Sequence, residues 1–366
     1  MAGSTFGTLF RITTWGETHG RGVGVVVDGC PAGLSLCEED IQKYLDRRKP
    51  GQSRYTTKRK EEDQVEILSG IFEGKTTGTP ISMVVFNKDQ RSRDYSNIMD
   101  VYRPGHADYT FDRKYGFRDY RGGGRSSGRE TIARVAAGAI AAKVLQEMGI
   151  EVFAYTEAIG PYSIDRENWN PAQRDENSFY MPDETTAQKV AVYVEQKMAE
   201  KDSCGGIVAC RVSGMPAGVG EPVFDKLDAR LGQALLSIGA VKGVEIGDGF
   251  LAAQSSGSEN NDAFCIRDRK VEKLTNHAGG ILGGISDGAP IVLRAAFKPT
   301  PSIASTQRTV DRYNQEREIQ IHGRHDPIIV PRAVVVVETM TAITLLDELL
   351  LNMSSRLDKI KEFYQK

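Results

Sequence analysis

All five histidines of this 366-residue chain lie within two residues of a glycine: His19 in GETHG, His106 in RPGHAD, His277 in NHAGG, and His322 and His325 in IHGRHD. Glycine turns hold polar groups at the mouth of a site and let backbone approach a ligand. No pair has the spacing of HExxH or of a zinc hairpin, so these residues point to proton transfer and to no metal. For His277, His322 and His325, a surface or satisfied-core role is the plainer reading and a supporting role the alternative.

The second constellation is cationic. Arg121 to Arg134 reads RGGGRSSGRETIAR. Ser127 and Glu130 have capping-box spacing, and Ile132, Val135, Ala136 and Ala139 continue a helix. The glycines therefore precede a helix N-terminus, where unpaired N–H groups and the dipole favour an anion, and Arg125 and Arg129 could close the site. The plain alternative is an ordinary capped helix. Upstream, Arg47, Arg48, Arg54, Lys58, Arg59 and Lys60 crowd around Pro50-Gly51-Gln52-Ser53. That turn could converge Arg48 and Arg54 on one polyanion. A solvated face, partly cancelled by Glu61, Glu62 and Asp63, reads the same spacing equally well. Ser69 to Thr76 looks like a P-loop but fails, because Gly70 is one residue too close to Gly74 and Pro80 follows where a helix must start.

These groups need a scaffold, and 40% hydrophobic content over this length is enough for a large core. A net charge of -2 argues against non-specific nucleic-acid or membrane binding. Without a signal segment or a membrane-length apolar run, the expected location is the cytoplasm. Five cysteines without a CxxC pair suggest reduced packing residues. Strands are expected at Gly24–Asp28, Ile81–Phe86, Gly206–Val212, Ile291–Phe297 and Ala333–Val337. Helices are expected after a Ser35/Glu38 capping box, from Glu130 to Met148, around Val190–Met198, from Phe224 to Leu236, and from Thr341 onward. Asn87–Tyr109 and Lys298–Pro327 are long polar loops, a kind that is usually functional or disordered.

Taken together, GETHG, the arginine turn, RPGHAD, RGGGRSSGRET, GMPAGVGEPVFDKLDARL, AVKGVEIGDGF, NHAGGILGGISDG, KPTPS and GRHDP closely resemble the chorismate synthase family over nearly the whole length. The length is similar to the monofunctional type, without an appended flavin-reductase region. The resemblance implies an α/β (α+β) fold, a layered β-α-β sandwich in a single compact domain spanning 1–366, assembling as a homotetramer. It implies an anti-1,4-elimination of phosphate from 5-enolpyruvylshikimate 3-phosphate to give chorismate, the last step of the shikimate pathway. Reduced FMN would be required without net redox change, with NADPH at most an indirect reductant.

By the same resemblance, His19 would protonate the departing phosphate, His106 would serve the reduced flavin, and Asp326 would work beside flavin N5. Arg48, Arg54, Arg103, Arg129 and Arg324 would clamp substrate anions. Flavin contacts would come from Arg125, Ser126, Ser127, Gly239, Ala240, Gly279, Lys298, Pro299, Thr300, Pro301, Ser302 and Arg324. Three positions depart from the family pattern: Thr18 replaces serine, Gly239 replaces asparagine or proline, and Pro301 alters a backbone donor. Two rival readings are a non-catalytic flavin- or nucleotide-binding regulator and an RNA-binding module. Intact His19, His106 and Asp326 speak against the first, and sparse aromatics beside the arginines against the second.

Overall fold

The computed structural model describes residues 3–56, 61–88, 99–321 and 326–365. The first sheet forms from β1 (Thr5–Phe6), β2 (Arg11–Gly16), β3 (Gly22–Asp28), β4 (Val65–Ile67) and β7 (Ile81–Phe86), all antiparallel in the order β1-β2-β3-β7-β4. Its central strand β3, GVGVVVD, is buried along almost its whole length, which explains the continuous valine run. Between β3 and β4 runs α1 (Glu38–Arg48). Cys37, not Ser35, is its N-cap, and the Cys37 N–H donates to Asp40 at 3.2 Å. Ser35 is instead bridged to Lys75, so the chain is still extended there. β5 (Ile71–Phe72) and β6 (Lys75–Thr76) form a hairpin. Glu73 and Gly74 at its tip both have positive φ, the geometry of a type I′ turn, so the P-loop-like segment is a hairpin.

After α2 (Asp108–Tyr115) comes α3 (Thr131–Glu147), close to its expected limits. The expected capping box is absent: Ser127 caps a short 3-10 turn through the Arg129 N–H at 3.2 Å, while Glu130 bonds Thr14 and Arg134. The second sheet is also antiparallel, in the order β11-β16-β10-β8-β9. Its strands are β8 (Glu151–Ile159), β9 (Tyr162–Ser163), β10 (Gly206–Ser213), β11 (Val241–Ile246) and β16 (Ile291–Phe297). Helices α4 (Glu184–Ala199), α5 (Leu227–Leu236) and α6 (Gly257–Asn260) lie in the connections, with the hairpins β12 (Phe264–Arg267)/β13 (Lys270–Lys273) and β14 (Ile281–Leu282)/β15 (Ile285–Ser286). The loop expected over Lys298–Pro327 carries a further hairpin, β17 (Gln307–Val310)/β18 (Glu316–Ile319).

Ala333–Val337 is not a strand. It belongs to α7 (Val330–Asn352), which is followed by α8 (Leu357–Tyr364). β-Branched residues favour strands, but burial decides here. Pro331 stands in the first turn, where its missing N–H costs nothing, and the helix is buried on every side through Glu348. Thr339 and Thr344 return their hydroxyls to carbonyls one turn back at 2.8 and 2.9 Å. Glu338 is held by Arg47 at 2.6 and 3.0 Å.

α3 packs on the first sheet, α7 on the second, and the two helices pack on each other, with α1 against both. One hydrophobic cluster runs through both sheets and this helix layer. Among the described residues no helix is long and apolar enough to cross a membrane.

The α3–α7 crossing depends on Gly138, where a Cβ would lie 2.3 Å from the Thr339 Cβ and 2.7 Å from its carbonyl oxygen. Gly138→Val is expected to lower unfolding free energy by about 1–3 kcal/mol. Gly232 in α5 has no atom within 4 Å of such a Cβ, so Gly232→Ala should raise it by up to about 1 kcal/mol. Urea unfolding measures both, and a silent Gly138→Val would contradict the close crossing.

Candidate active site

The helix layer ends in a cavity of about 600 Å³, within the ordinary size of small-molecule sites. Several pieces of chain meet there: the C-terminus of α1, the loop around Arg103 to Ala107, the loop leading into α3, the first turns of α7, and the edge of the second sheet around 237–242 and 297–302. Two helix N-termini therefore face one space, which favours anions.

The buried carboxylate of Asp63 organises one wall. Its Oδ2 accepts from Arg48 at 2.7 Å and its Oδ1 from Arg129 at 2.9 Å, and its side chain is fully shielded from water. Arg48 is 1% exposed. It also donates to the Gly128 carbonyl at 3.0 Å, which ties α1 to the loop before α3. Arg129 reaches Asn87 at 2.5 Å as well. Burial pushes the Arg48 guanidinium down to about 10, against the pull of Asp63. Burial also pushes the Asp63 carboxyl upward, but Arg48 and Arg129 outweigh it and hold it below the ordinary aspartate value. Asp63 is left-handed at φ 49°, a conformation that aspartate tolerates better than most residues.

A second cluster holds His106. Asp108, the first residue of α2, accepts from Arg103 Nε and Nη2, both at 2.7 Å, and from His106 Nδ1 at 3.0 Å. With Nδ1 occupied, Nε2 is the imidazole nitrogen left for a ligand. Although burial opposes it, bonding from Arg103 and His106 keeps the Asp108 carboxyl well below the usual range. On the opposite side, Arg332 in the first turn of α7 bonds Asp326 and donates through Nε to the Arg48 carbonyl at 2.9 Å. Arg332 thus links the acid of the GRHDP segment to the Asp63 cluster.

Arg48, Arg103, Arg125, Arg129, His106, Ser126, Ser127, Gly239, Ala240, Lys298, Thr300, Pro301, Ser302 and Asp326 all line the cavity. Arg125 spends much of its guanidinium on the Gly16 and Thr14 carbonyls, at 3.1 Å each. His19 does not line the cavity itself, although its neighbour Thr18 does; it packs so closely on Gly122 that a Cβ there would meet its ring at 2.7 Å. Pro299 lies between lining residues without lining the cavity itself. Arg54 is not gathered in; it is exposed and pairs with Glu195 at 2.5 Å. Gly279 is also elsewhere, packed on Gly247 beside the His277–Asp248 pair, whose contact is 2.6 Å. His322, Arg324 and His325 lie outside the described residues.

Of the residues that depart from the family pattern, Thr18 is buried, and its hydroxyl has no hydrogen-bond partner among the described residues. At the Gly239-Ala240 turn the left-handed residue is Ala240, at φ 73°, and not the glycine. Pro301 approaches Gly105, where a Cβ would be 3.2 Å away. Sequence reasoning missed Asp63, Asp108 and Arg332. Asp108 was visible in RPGHAD as an acid two residues from a histidine; the other two carried no local signal.

A family model described as chorismate synthase matches residues 10–350. A chorismate synthase from Lachnospira eligens is 64% identical over 366 residues, covering 100% of both chains. One from Chloroflexus aurantiacus is 55% identical over 351 residues, 96% of each. A crystal structure of a chorismate synthase superposes with a TM-score of 0.77 at 31% identity, covering 98% of this chain and 97% of the other.

Removing Asp63 leaves two buried guanidiniums without their shared partner, so Asp63→Ala should lower unfolding free energy by about 3–5 kcal/mol at neutral pH. Because the native carboxyl titrates below its ordinary 3.8, this contribution is complete above that pH and fades as pH falls through the lower native value. Urea unfolding across pH checks this. A deficit that stays the same far below 3.8 would contradict the ionic account.

Proposed function

The chain belongs to the chorismate synthase family, and from that premise we propose that it works as a carbon–oxygen lyase, eliminating phosphate from 5-enolpyruvylshikimate 3-phosphate in the anti-1,4 sense to give chorismate. The observation that carries this reading is the convergence of Arg48, Arg103 and Arg129 with His106 and Asp326 on one cavity. A substrate with two carboxylates and a phosphate needs such a cationic wall, and a planar guanidinium suits each of those groups. Buried atoms still lacking partners support ligand binding. Arg48 Nε and the Thr18 and Thr300 hydroxyls are buried without hydrogen bonds among the described residues.

The lining also fits a reduced flavin mononucleotide. Gly128 and Gly239 leave open backbone, with no atom within 4 Å of a Cβ built on either, and lysines, serines and Thr300 supply donors on that side. Reduced FMN held by these residues would supply transient electron donation for carbon–oxygen cleavage, with no net redox change. The protein's own part is orientation and protons. Arg48 and Arg129, fixed by Asp63, hold the anionic groups; His19 delivers a proton to the departing phosphate. His106, set by Asp108 through Nδ1, offers Nε2 for proton exchange with the flavin. Asp326, held by Arg332, stands ready on the deprotonation side.

We read residues 1–366 as one domain acting in the cytoplasm, with NADPH at most an indirect reductant. A homotetramer is the proposed working unit. Exposed Phe224, Phe250, Phe264 and Ile266 give apolar surface that assembly would cover.

Under anaerobic conditions, substrate and chemically reduced FMN should give phosphate and chorismate in equal amounts, and oxidised FMN none. Equal rates without flavin would overturn the scheme. His106→Ala and His19→Ala should each lower turnover by about 10²–10⁴. Losses of tenfold or less in both would remove them from the proton-transfer roles.

A further inference from the structure

The turn that carries His19 is held by a residue outside it. Glu17 to Gly20 close on themselves where the Gly20 N–H donates to the Glu17 carbonyl at 3.1 Å. The turn joins β2, which ends at Gly16, to β3, which begins at Gly22, and so lies beyond the ladder between them. Asn87 stands one residue past β7, whose Phe86 pairs with Gly22. Its backbone N–H continues that pairing to the Arg21 carbonyl at 3.0 Å. Its side-chain amide reaches further: Nδ2 donates to the Glu17 carbonyl at 2.9 Å and to the Gly20 carbonyl at 2.8 Å. Both hydrogens of the amide are thus spent on the two ends of the turn, with Thr18 and His19 between them.

The amide oxygen faces the other way. Oδ1 accepts from Arg129 Nε at 2.5 Å, and Arg129 is itself fixed on Asp63 at 2.9 Å. Reversing the amide would set its oxygen against two carbonyls and its NH2 against a guanidinium, so the neighbours dictate its orientation. A carboxylate could serve Arg129 but would give the turn no donor. The rest of the surroundings leave the turn little freedom. Arg125 holds the Thr14 and Gly16 carbonyls at the end of β2, and Gly122 lies against the His19 ring. Thr18 faces the cavity that Arg129 lines, whereas Asn87 does not line it and can act only through its two partners.

We propose that Asn87 is a positioning residue for the elimination: it fixes the His19 turn in register with Arg129, so that the proton donor and the bound anion keep one relative placement. The inference rests on the role given to His19 in the function proposed above. A misplacement of about 1 Å between reacting groups costs about a hundredfold in rate, even when its cause lies away from the chemistry.

The test uses the full-chain protein, the variants Asn87→Asp, Asn87→Ala and His19→Ala, and the double variants that combine each Asn87 change with His19→Ala. Turnover is measured anaerobically with reduced FMN. Binding of 5-enolpyruvylshikimate 3-phosphate in the presence of oxidised FMN is measured by calorimetry. Asn87→Asp keeps an acceptor for Arg129 and removes both donors to the turn. It is expected to lower kcat by about ten- to hundredfold while substrate affinity stays within about threefold. In the His19→Ala background the same change should lower kcat by no more than about twofold, because its effect passes through His19. Asn87→Ala, which adds no charge, should show the same non-additivity and supplies the reading should Asn87→Asp fail to fold. The inference is overturned by a kcat within about twofold of wild type in the single variants, by an affinity loss as large as the turnover loss, or by losses that multiply in the double variants. Wild-type protein that makes no chorismate would overturn the function reading and this inference with it, whereas wild-type turnover with multiplying losses overturns this inference alone.

Discussion

A single buried carboxylate, Asp63, allows two guanidiniums to stand side by side away from water. Arg48 and Arg129 reach it at 2.7 and 2.9 Å from opposite sides. Without that shared anion, burial and mutual repulsion would push both cations toward solvent or toward losing charge. With it, the pair is fixed in place while donors such as Arg48 Nε remain unspent. Arg332 extends the arrangement by bonding the Arg48 carbonyl and Asp326 together. The cationic wall is thus one connected assembly built from α1, the loop before α3, and the start of α7.

The fold supplies the place for it. Two antiparallel sheets clamp a helix layer centred on the largely buried α3 and α7, and a buried helix cannot satisfy its terminal N–H groups along its sides. The starts of α3 and α7 therefore come to the edge of the layer, where the cavity opens. Gly138 sets how closely these helices cross and hence how near their N-termini lie. Stability and ligand binding depend on the same packing, with the second sheet contributing its edge as the remaining wall.

Much of this was legible in the chain. β7 and β16 fall within the strands read from their β-branched runs, and α3 follows its apolar spacing, because in each the local pattern agrees with the burial. α7 was misread at Ala333–Val337, where five consecutive small or β-branched residues satisfy a strand pattern and only long-range burial makes them helical. Both capping boxes were displaced by long-range contacts: Ser35 is held extended by its bridge to Lys75, and Glu130 bonds Thr14 and Arg134. The glycine–arginine loop was readable because it precedes a helix. Asp63 was not, since in sequence it closes an acidic run that looks like neutralisation of Lys58 to Lys60, and its two partners are 15 and 66 residues away. Arg54 and Gly279 show the reverse, residues in promising motifs whose side chain or backbone packs outside the cavity.

The most direct test is a crystal structure of the protein with 5-enolpyruvylshikimate 3-phosphate and oxidised FMN, which does not turn over. The account predicts substrate density between Arg48, Arg103 and Arg129, with Asp63 still bridging Arg48 and Arg129 and His106 still on Asp108. Substrate bound away from these arginines, or an Asp63 that releases either of them, would contradict it.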